Sequence, residues 1–342
     1  MFSVKGVIQT MGSKRTLNIW VVAIISLSLL LIGLFLHLSV GSTIMDIHTI
    51  FNAIFQIDQS RETTIIQTLR LPRTILTVMV GAALAVAGAL MQAITRNALA
   101  SPEIFGVNAG ASLAVATSTL LFATLSPSMT VYAAFIGALL GGLTVYVFAS
   151  GRKMTHVKLA LAGTAIHLFF SSITQAIVIL NERATDVLYW LVGSLNGKDW
   201  THVQVASPWI IIGLAIAILF SRSFSILSLG ESMASSLGER VQLIRLIGGL
   251  LVIMLAGSSV AVAGPISFIG LIVPHITRKL VGPDYSRVIP FSALLGATLL
   301  LYADILSHFI AYPYESPVGI VTALIGASFF LYLVRKERLI KQ

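Results

Sequence analysis

The sequence predicts an all-α, polytopic integral membrane protein with about ten transmembrane helices. Of its 342 residues, 56% are apolar and only 10% are charged, whereas a soluble domain carries about 25% charged residues. So few charges cannot build a water-facing surface, but they suit a lipid-facing one. The apolar residues fall in runs near the roughly 20-residue length that crosses a bilayer as a helix. The basic residues sit in the short breaks between runs, as orientation signals do. In lipid every backbone polar group needs an internal partner, so each span reads as a helix.

The first run, Leu17 to Val40, follows Lys14 and Arg15. It exceeds the roughly 7–15 residues of a signal-peptide core and no Ala-x-Ala site follows, so 17–38 reads as a retained span. Further candidates lie at 68–94, 106–125, 130–150, 158–180, 205–221, 242–262, 266–281, 288–310 and 318–335. The third and fourth are separated by a turn at Ser126 and Pro127. The eighth is short and holds Pro274, which frees a carbonyl one turn back for His275 or water to satisfy. Ten spans put both termini on one side. With the termini in the cytoplasm, 17 of the 22 Lys and Arg lie inside, as the positive-inside rule requires. Arg61, Arg70, Arg73, Arg183 and Lys198 remain outside. The domain reading is a cytoplasmic segment 1–16, one membrane domain 17–335 and a cytoplasmic tail 336–342. Two longer outside segments, 39–67 and 181–204, are expected. Trp190, Trp200 and Trp209, near the ends of the second, suit interfacial anchoring. The longest inside segment, near 222–241, reads as a short amphipathic helical hairpin beyond the membrane. Gly106/Gly110 and Gly137/Gly141 fit GxxxG and read as packing positions.

Several chemistries are absent from the sequence. Without cysteine there are no disulfides and no thiolate metal sites. The string nearest to a phosphate loop, Gly193 to Lys198, is one residue short, and no HExxH or GxSxG occurs. The histidines never pair at metal-ligand spacing. The net charge is +9, but the basic residues form no patch interleaved with aromatics, which argues against nucleic acid as a partner. No enzyme activity and no bound cofactor are expected, so energy for any active transport must come from a partner or an ion gradient.

Three groups of residues invite a role. Thr164, His167, Ser171, Thr174 and Gln175 recur every three to four residues on one face of the fifth span. Polar groups in lipid usually face protein or a water-filled path, so this stripe reads as a wall of a translocation pathway. Asp304, in the ninth span, reads as a structural contact, because a lone carboxylate lacks the relay partners of a pump. Proton coupling in a gradient-driven secondary transporter is the alternative. Arg70 and Arg73 flank Pro72 at the outer mouth of the second span, against the positive-inside trend. They suit either snorkelling to headgroups or sockets for carboxylates of an extracytoplasmic partner.

The run Leu69-Arg-Leu-Pro-Arg-Thr-Ile-Leu76, then Val80 to Gly88, Met91-Gln92 and Asn97-Ala-Leu-Ala-Ser-Pro102 resembles the FecCD family of permeases. The likeness continues through Leu161-Ala-Gly163, Trp190 to Ser194, Gly230-Glu231 and Leu237-Gly238. It is densest from Gly264 to Arg278 and closes with Ala303-Asp304 and Ser316 to Gly326. It implies a type II ABC importer permease fold in a bacterial cell membrane and a ferric-siderophore, haem or cobalamin cargo. The implied partners are a second permease subunit, identical or homologous, two ATP-binding subunits that hold ATP and Mg, and an extracytoplasmic substrate-binding protein. Arg70 and Arg73 then match outer arginines that meet the binding protein, and His308 stands where many members have another Arg. Gly230, Glu231, Ser232, Ala234, Leu237 and Gly238 match the segment that couples to the ATPase. Asn97 and Leu99 match an inner gate, and Thr155, His156 and Val157 fall near a second one. Ala98 replaces the Pro common between Asn97 and Leu99.

Overall fold

The computed structural model describes residues 18–41, 44–58, 60–122, 126–149, 156–180, 185–310 and 314–340, which are helices and their connections with no strand among them. Helix α1, Ile19–Ser39, is capped by the Asn18 side chain, which accepts from the Trp20 N–H at 3.1 Å. It lies at the periphery, where Gly33 lets it back closely onto Leu301 and Tyr302. The expected outer segment 39–67 holds two short helices, α2, Ile47–Ile54, and α3, Arg61–Ile65, capped by Asp46 and Ser60. Helix α3 runs through a single π turn, Ile66–Arg70, into α4, Leu71–Thr95. The second span therefore starts at Arg61 rather than at 68. Pro72 has no N–H for the Thr68 carbonyl, and a π turn is how a helix absorbs such a gap.

Helix α4 is the axis of the molecule. From Val80 to Thr95 every residue is buried, because small residues let neighbours approach to backbone contact. Gly81 abuts Gly296 of α14, Tyr285–Ile310, and Gly88 abuts Gly270 of α13, Ile269–Val281. A Cβ on any of these four would meet backbone or another Cβ. The GxxxG pairs serve the same end. Gly110 of α5, Val107–Leu121, meets Gly137 and Gly141 of α6, Pro127–Ala149, while Gly106 meets Gly141.

Among the described residues, seven helices are long and apolar enough to cross a membrane, and Val107–Leu121 and Val318–Tyr332 are shorter apolar helices. With α13 these account for the ten expected spans, but two of the ten cannot cross alone. Helix α5 has 15 residues and α13 has 13, about 22 and 20 Å at 1.5 Å per residue. Both begin part-way through the bundle, where non-helical backbone is tolerated if protein or a cavity surrounds it. One such segment, 96–106, leaves α4 at Arg96 (φ 49°) and climbs back, so that Pro102 packs against Gly270. The other, 264–268, descends from the end of α12, Val241–Ala263, to Phe268 (φ 71°) at the start of α13.

The remaining helices are α7, His156–Leu180; α8, Thr185–Leu191; α9, Trp200–Leu219; α10, Ser221–Ser228; α11, Glu231–Ser236; and α15, Val318–Ile340. Helix α9 begins five residues before the expected start. Asp199 accepts from the Thr201 and His202 N–H groups while the His202 ring accepts from the Asp199 N–H, a closed capping box. Trp200 donates its indole N–H to the Gln67 carbonyl at 2.9 Å, so this Trp binds protein. The segment 222–241 forms the expected hairpin, α10 and α11.

Candidate functional site

At the expected outer end, Arg73 lies buried at the start of α4. Its Nε donates to Asp304 Oδ2 at 2.8 Å, Nη2 to Oδ1 at 3.0 Å, and Nη1 to Glu315 Oε2 at 2.7 Å. Two parallel bonds from one guanidinium are the strong carboxylate geometry. His37 of α1 joins the cluster, with Nε2 2.8 Å from Asp304 Oδ2 and Nδ1 2.8 Å from the Thr74 hydroxyl. Asp304 is fully buried, and the lone carboxylate of the sequence has Arg73, His37 and, at 3.4 Å, the Ser307 hydroxyl as partners, so Arg73 uses its fork within the chain rather than on headgroups. Arg70 is turned inward as well. Its Nη1 donates to the Leu38 and Ser39 carbonyls at 2.8 Å each, where a cation suits the C-terminus of α1. His308 is half-buried, 3.6 Å from Glu315 Oε1. His37, Arg70, Arg73, His308 and Glu315 line a cavity of about 150 Å³ together with Gly41 and Lys198. Burial lowers the pKa of Lys198, an effect Asp199 beside it opposes.

A second cavity, of about 310 Å³, lies where α7 faces the two non-helical segments. His167, Ser171, Thr174 and Gln175 line it as the polar stripe predicts, and Thr164, exposed on α7, is not among the lining residues. Opposite stand Glu103, Asn108 and Ser112, with Pro265 and Ser267 at the edge. The sequence reading missed Glu103. Its only signal is a break, Pro102 before it and Gly106 (φ 69°) after it, which marks the 3-10 turn Pro102–Phe105.

Next to this cavity, Pro274 deprives the Gly270 carbonyl of its helical partner. Gln92 of α4 takes that role, its Nε2 3.4 Å from Gly270 O and 3.3 Å from Ala100 O. The expectation of His275 is corrected: its ring packs edge-on against Phe329, 6.0 Å between centroids. Gln92 thus ties the segment 96–106 to the first turn of α13.

At the expected inner end, the Asn97 side chain accepts from the Leu99 N–H at 2.9 Å, closing a turn across Ala98, and Leu99 is exposed. Thr155 lies outside the described residues; so do the side chains of His156 and Val157, which open α7. In the hairpin, Gly230 (φ 119°) and Gly238 (φ 84°) bracket α11. Ala234 is buried while Ser232, Met233 and Leu237 point outward. Glu231 pairs with Arg245 of α12. The Arg96 guanidinium lies beside Gly230, so the hairpin touches the residue next to Asn97. Ser225 donates to Asp284 Oδ1 at 2.7 Å and accepts from the Tyr285 N–H at 2.8 Å, which ties α10 to the start of α14. That donated bond is the main reason the Asp284 carboxyl lies below its usual pKa.

A short helix pair thus lies at one end and a polar cavity at the level of the two broken spans. A family model described as the FecCD transport family matches residues 29–336. The chain belongs to the FecCD transport family. Among its relatives, the Fe(3+)-citrate import system permease protein YfmD of Bacillus subtilis is 55% identical over 96% of this chain and 99% of that protein. The iron(3+)-hydroxamate import system permease protein FhuB of the same organism is 45% identical over 95% of this chain and 86% of that one. A solved structure described as an inward-facing metal-chelate type ABC transporter superposes with a TM-score of 0.82 at 26% identity, over 93% of this chain and all of that one. This FecCD chain is therefore a multi-pass membrane permease with the type II ABC importer fold.

Proposed function

We propose that this FecCD permease forms half of the membrane pore of an ATP-driven importer of ferric chelates. The observation that carries the reading is the 310 Å³ cavity, lined by hydroxyls, amides, one carboxylate and one imidazole at the level of the two broken spans. Such a wall hydrogen-bonds a bulky polar cargo without gripping it, and the names of the relatives supply iron chelates as that cargo. Helix α7, largely exposed along its length, faces a second permease across the cavity. Both termini lie in the cytoplasm, which the basic residues favour. Two ATP-binding subunits dock beneath α11, where Met233 and Leu237 are exposed. An extracytoplasmic binding protein docks above, its carboxylates competing with Glu315 for Arg73. This chain hydrolyses nothing. It converts ATPase closure into movement of the Asn97–Leu99 turn through Arg96 and Gly230.

Purification of the tagged chain from native membrane in mild detergent, followed by mass spectrometry, tests the assembly. An ATPase carrying a phosphate loop is expected to co-purify with a ten-span permease, identical or homologous. Recovery of this chain alone, still active under an ion gradient without ATP, would replace the importer with a secondary carrier.

A further inference from the structure

The segment between the first two spans carries an apolar face of its own. Helix α2, Ile47–Ile54, presents three sides. Ile50 and Ala53 are buried and pack with Leu38, Met45 and Ile66. His48, Thr49 and Asn52 form a polar side, where Asn52 Nδ2 lies 3.2 Å from His48 Nδ1 and Asp46 Oδ1 accepts from the Thr49 N–H at 2.9 Å. On the third side Ile47, Phe51 and Ile54 follow the i, i+4, i+7 spacing of one helix face. These three are 48–68% exposed, and Phe55 extends the face, its ring 4.4 Å from that of Phe51. Ile44 before the helix and Ile57 after it are exposed as well.

The level of this face is fixed by its neighbours. Helix α1 has 21 residues, about 31 Å at 1.5 Å per residue, close to the roughly 30 Å of a hydrocarbon core. Trp20, exposed in its first turn, suits one interface, which puts Leu38 in its last turn at the other. Leu38 is a residue on which α2 packs. A second marker agrees. The Gln67 side chain donates to the Ala53 carbonyl at 2.8 Å, and the Gln67 carbonyl accepts from the Trp200 indole at 2.9 Å. Trp200 remains partly exposed and is of the residue type that gathers at membrane–water interfaces. A helix with one apolar side, one polar side and this level lies in the plane of the membrane surface.

We propose that α2 is an interfacial anchor: Ile47, Phe51, Ile54 and Phe55 sink into the leaflet at the expected outer end and take phospholipid acyl chains as their partner, with His48 and Asn52 turned to water. A soluble protein fits the face less well, because the face stands at the edge of the hydrocarbon, which lipid fills. The inference rests on the chain being a membrane permease and is independent of its cargo.

The chain has no cysteine, so single cysteines can carry a nitroxide label in the full chain, in vesicles of phosphatidylethanolamine and phosphatidylglycerol. Power-saturation EPR compares relaxation by oxygen, which concentrates in the bilayer, with relaxation by a water-soluble nickel chelate. Leu31→Cys, exposed on α1, is the hydrocarbon reference, and Glu62→Cys, exposed on α3, the aqueous one. Phe51→Cys and Ile54→Cys are expected to favour oxygen several-fold more than Glu62→Cys and to lie about 5–10 Å deep, while His48→Cys follows Glu62→Cys. Three results would overturn the anchor. Labels at Phe51 and Ile54 that follow Glu62→Cys would put the face in water, open to a soluble partner. Labels that neither reagent reaches would mean that a second copy of the chain covers it. A His48→Cys label that follows Leu31→Cys would mean a submerged helix. The unaltered chain gives an independent reading. A phospholipid with a diazirine in its acyl chain is expected to mark residues from Phe51 to Phe55 on photolysis, and marks on α1 with none on α2 would equally overturn the proposal.

Discussion

The Arg73–Asp304 pair shows how a single residue is constrained here. Asp304 is fully buried and Arg73 is its bidentate partner. Removing one member of a buried pair leaves an uncompensated charge, worth about 3–5 kcal/mol, whereas replacing both by apolar groups can be neutral. Arg73→Ala is therefore expected to lower stability in detergent by about that amount, read by thermal melting. Arg73→Leu with Asp304→Leu should recover most of the loss. Equal melting of wild type and Arg73→Ala would contradict the pairing. Both residues were visible in the sequence as anomalies, a cation on the wrong side and a carboxylate in a span. Their partnership was not, because it joins positions 231 residues apart and no local spacing encodes it. His37, which the sequence reading passed over, is explained by the same cluster. A milder case is Asp284, whose pKa the Ser225 hydroxyl lowers. A depressed carboxylate contributes stability above its unfolded pKa and loses it as pH falls through the folded value. Ser225→Ala should raise the Asp284 pKa, measurable by NMR titration, and weaken the tie between α10 and α14 at neutral pH. An unmoved titration would dismiss the bond.

At the scale of elements, backbone approach decides the fold. Gly88 faces Gly270 with no room for a Cβ, and backbone cannot move aside as a flexible side chain can. Gly88→Val is expected to abolish monodisperse protein in detergent, read by fluorescence-detected size exclusion. Gly197→Ala, at a position with nothing within 4 Å and a φ of 68°, should cost only about 1 kcal/mol of backbone strain. Similar behaviour of the two variants would deny that packing sets the difference. Hydropathy located the long helices well, because length and apolarity are properties of a segment alone. It misplaced the starts at Arg61 and Trp200, where a π turn and a capping box, made by particular residues, set the boundary. It also counted the third and eighth runs as full spans, although each helix is short and follows an unwound segment. Pro102, Gly106 and Gly264 mark those breaks in the sequence, but nothing local says how the chain folds back between them.

For the whole molecule, the account rests on a mechanical connection. The α10–α11 hairpin touches Arg96, Arg96 adjoins the Asn97–Leu99 turn, and that turn leads through Ala100 and Gln92 to the broken start of α13. Movement applied to the hairpin thereby reaches the base of the cavity. Glu231→Lys reverses one charge of the Glu231–Arg245 pair and is expected to lower cargo-stimulated ATPase activity several-fold while membrane insertion stays intact. Normal coupled transport in that variant would remove the hairpin from the mechanism. The polar wall of α7 was legible from its helical period, whereas the opposite wall, Glu103 with Asn108 and Ser112, depends on how a non-helical segment folds back. The measurement that bears most directly on the central claim is uptake of a radio-iron chelate into proteoliposomes that hold the complete importer. ATP trapped on the cytoplasmic side should drive accumulation, and a non-hydrolysable analogue should not, whatever ion gradient is imposed. Accumulation that follows the gradient and ignores ATP would contradict the account.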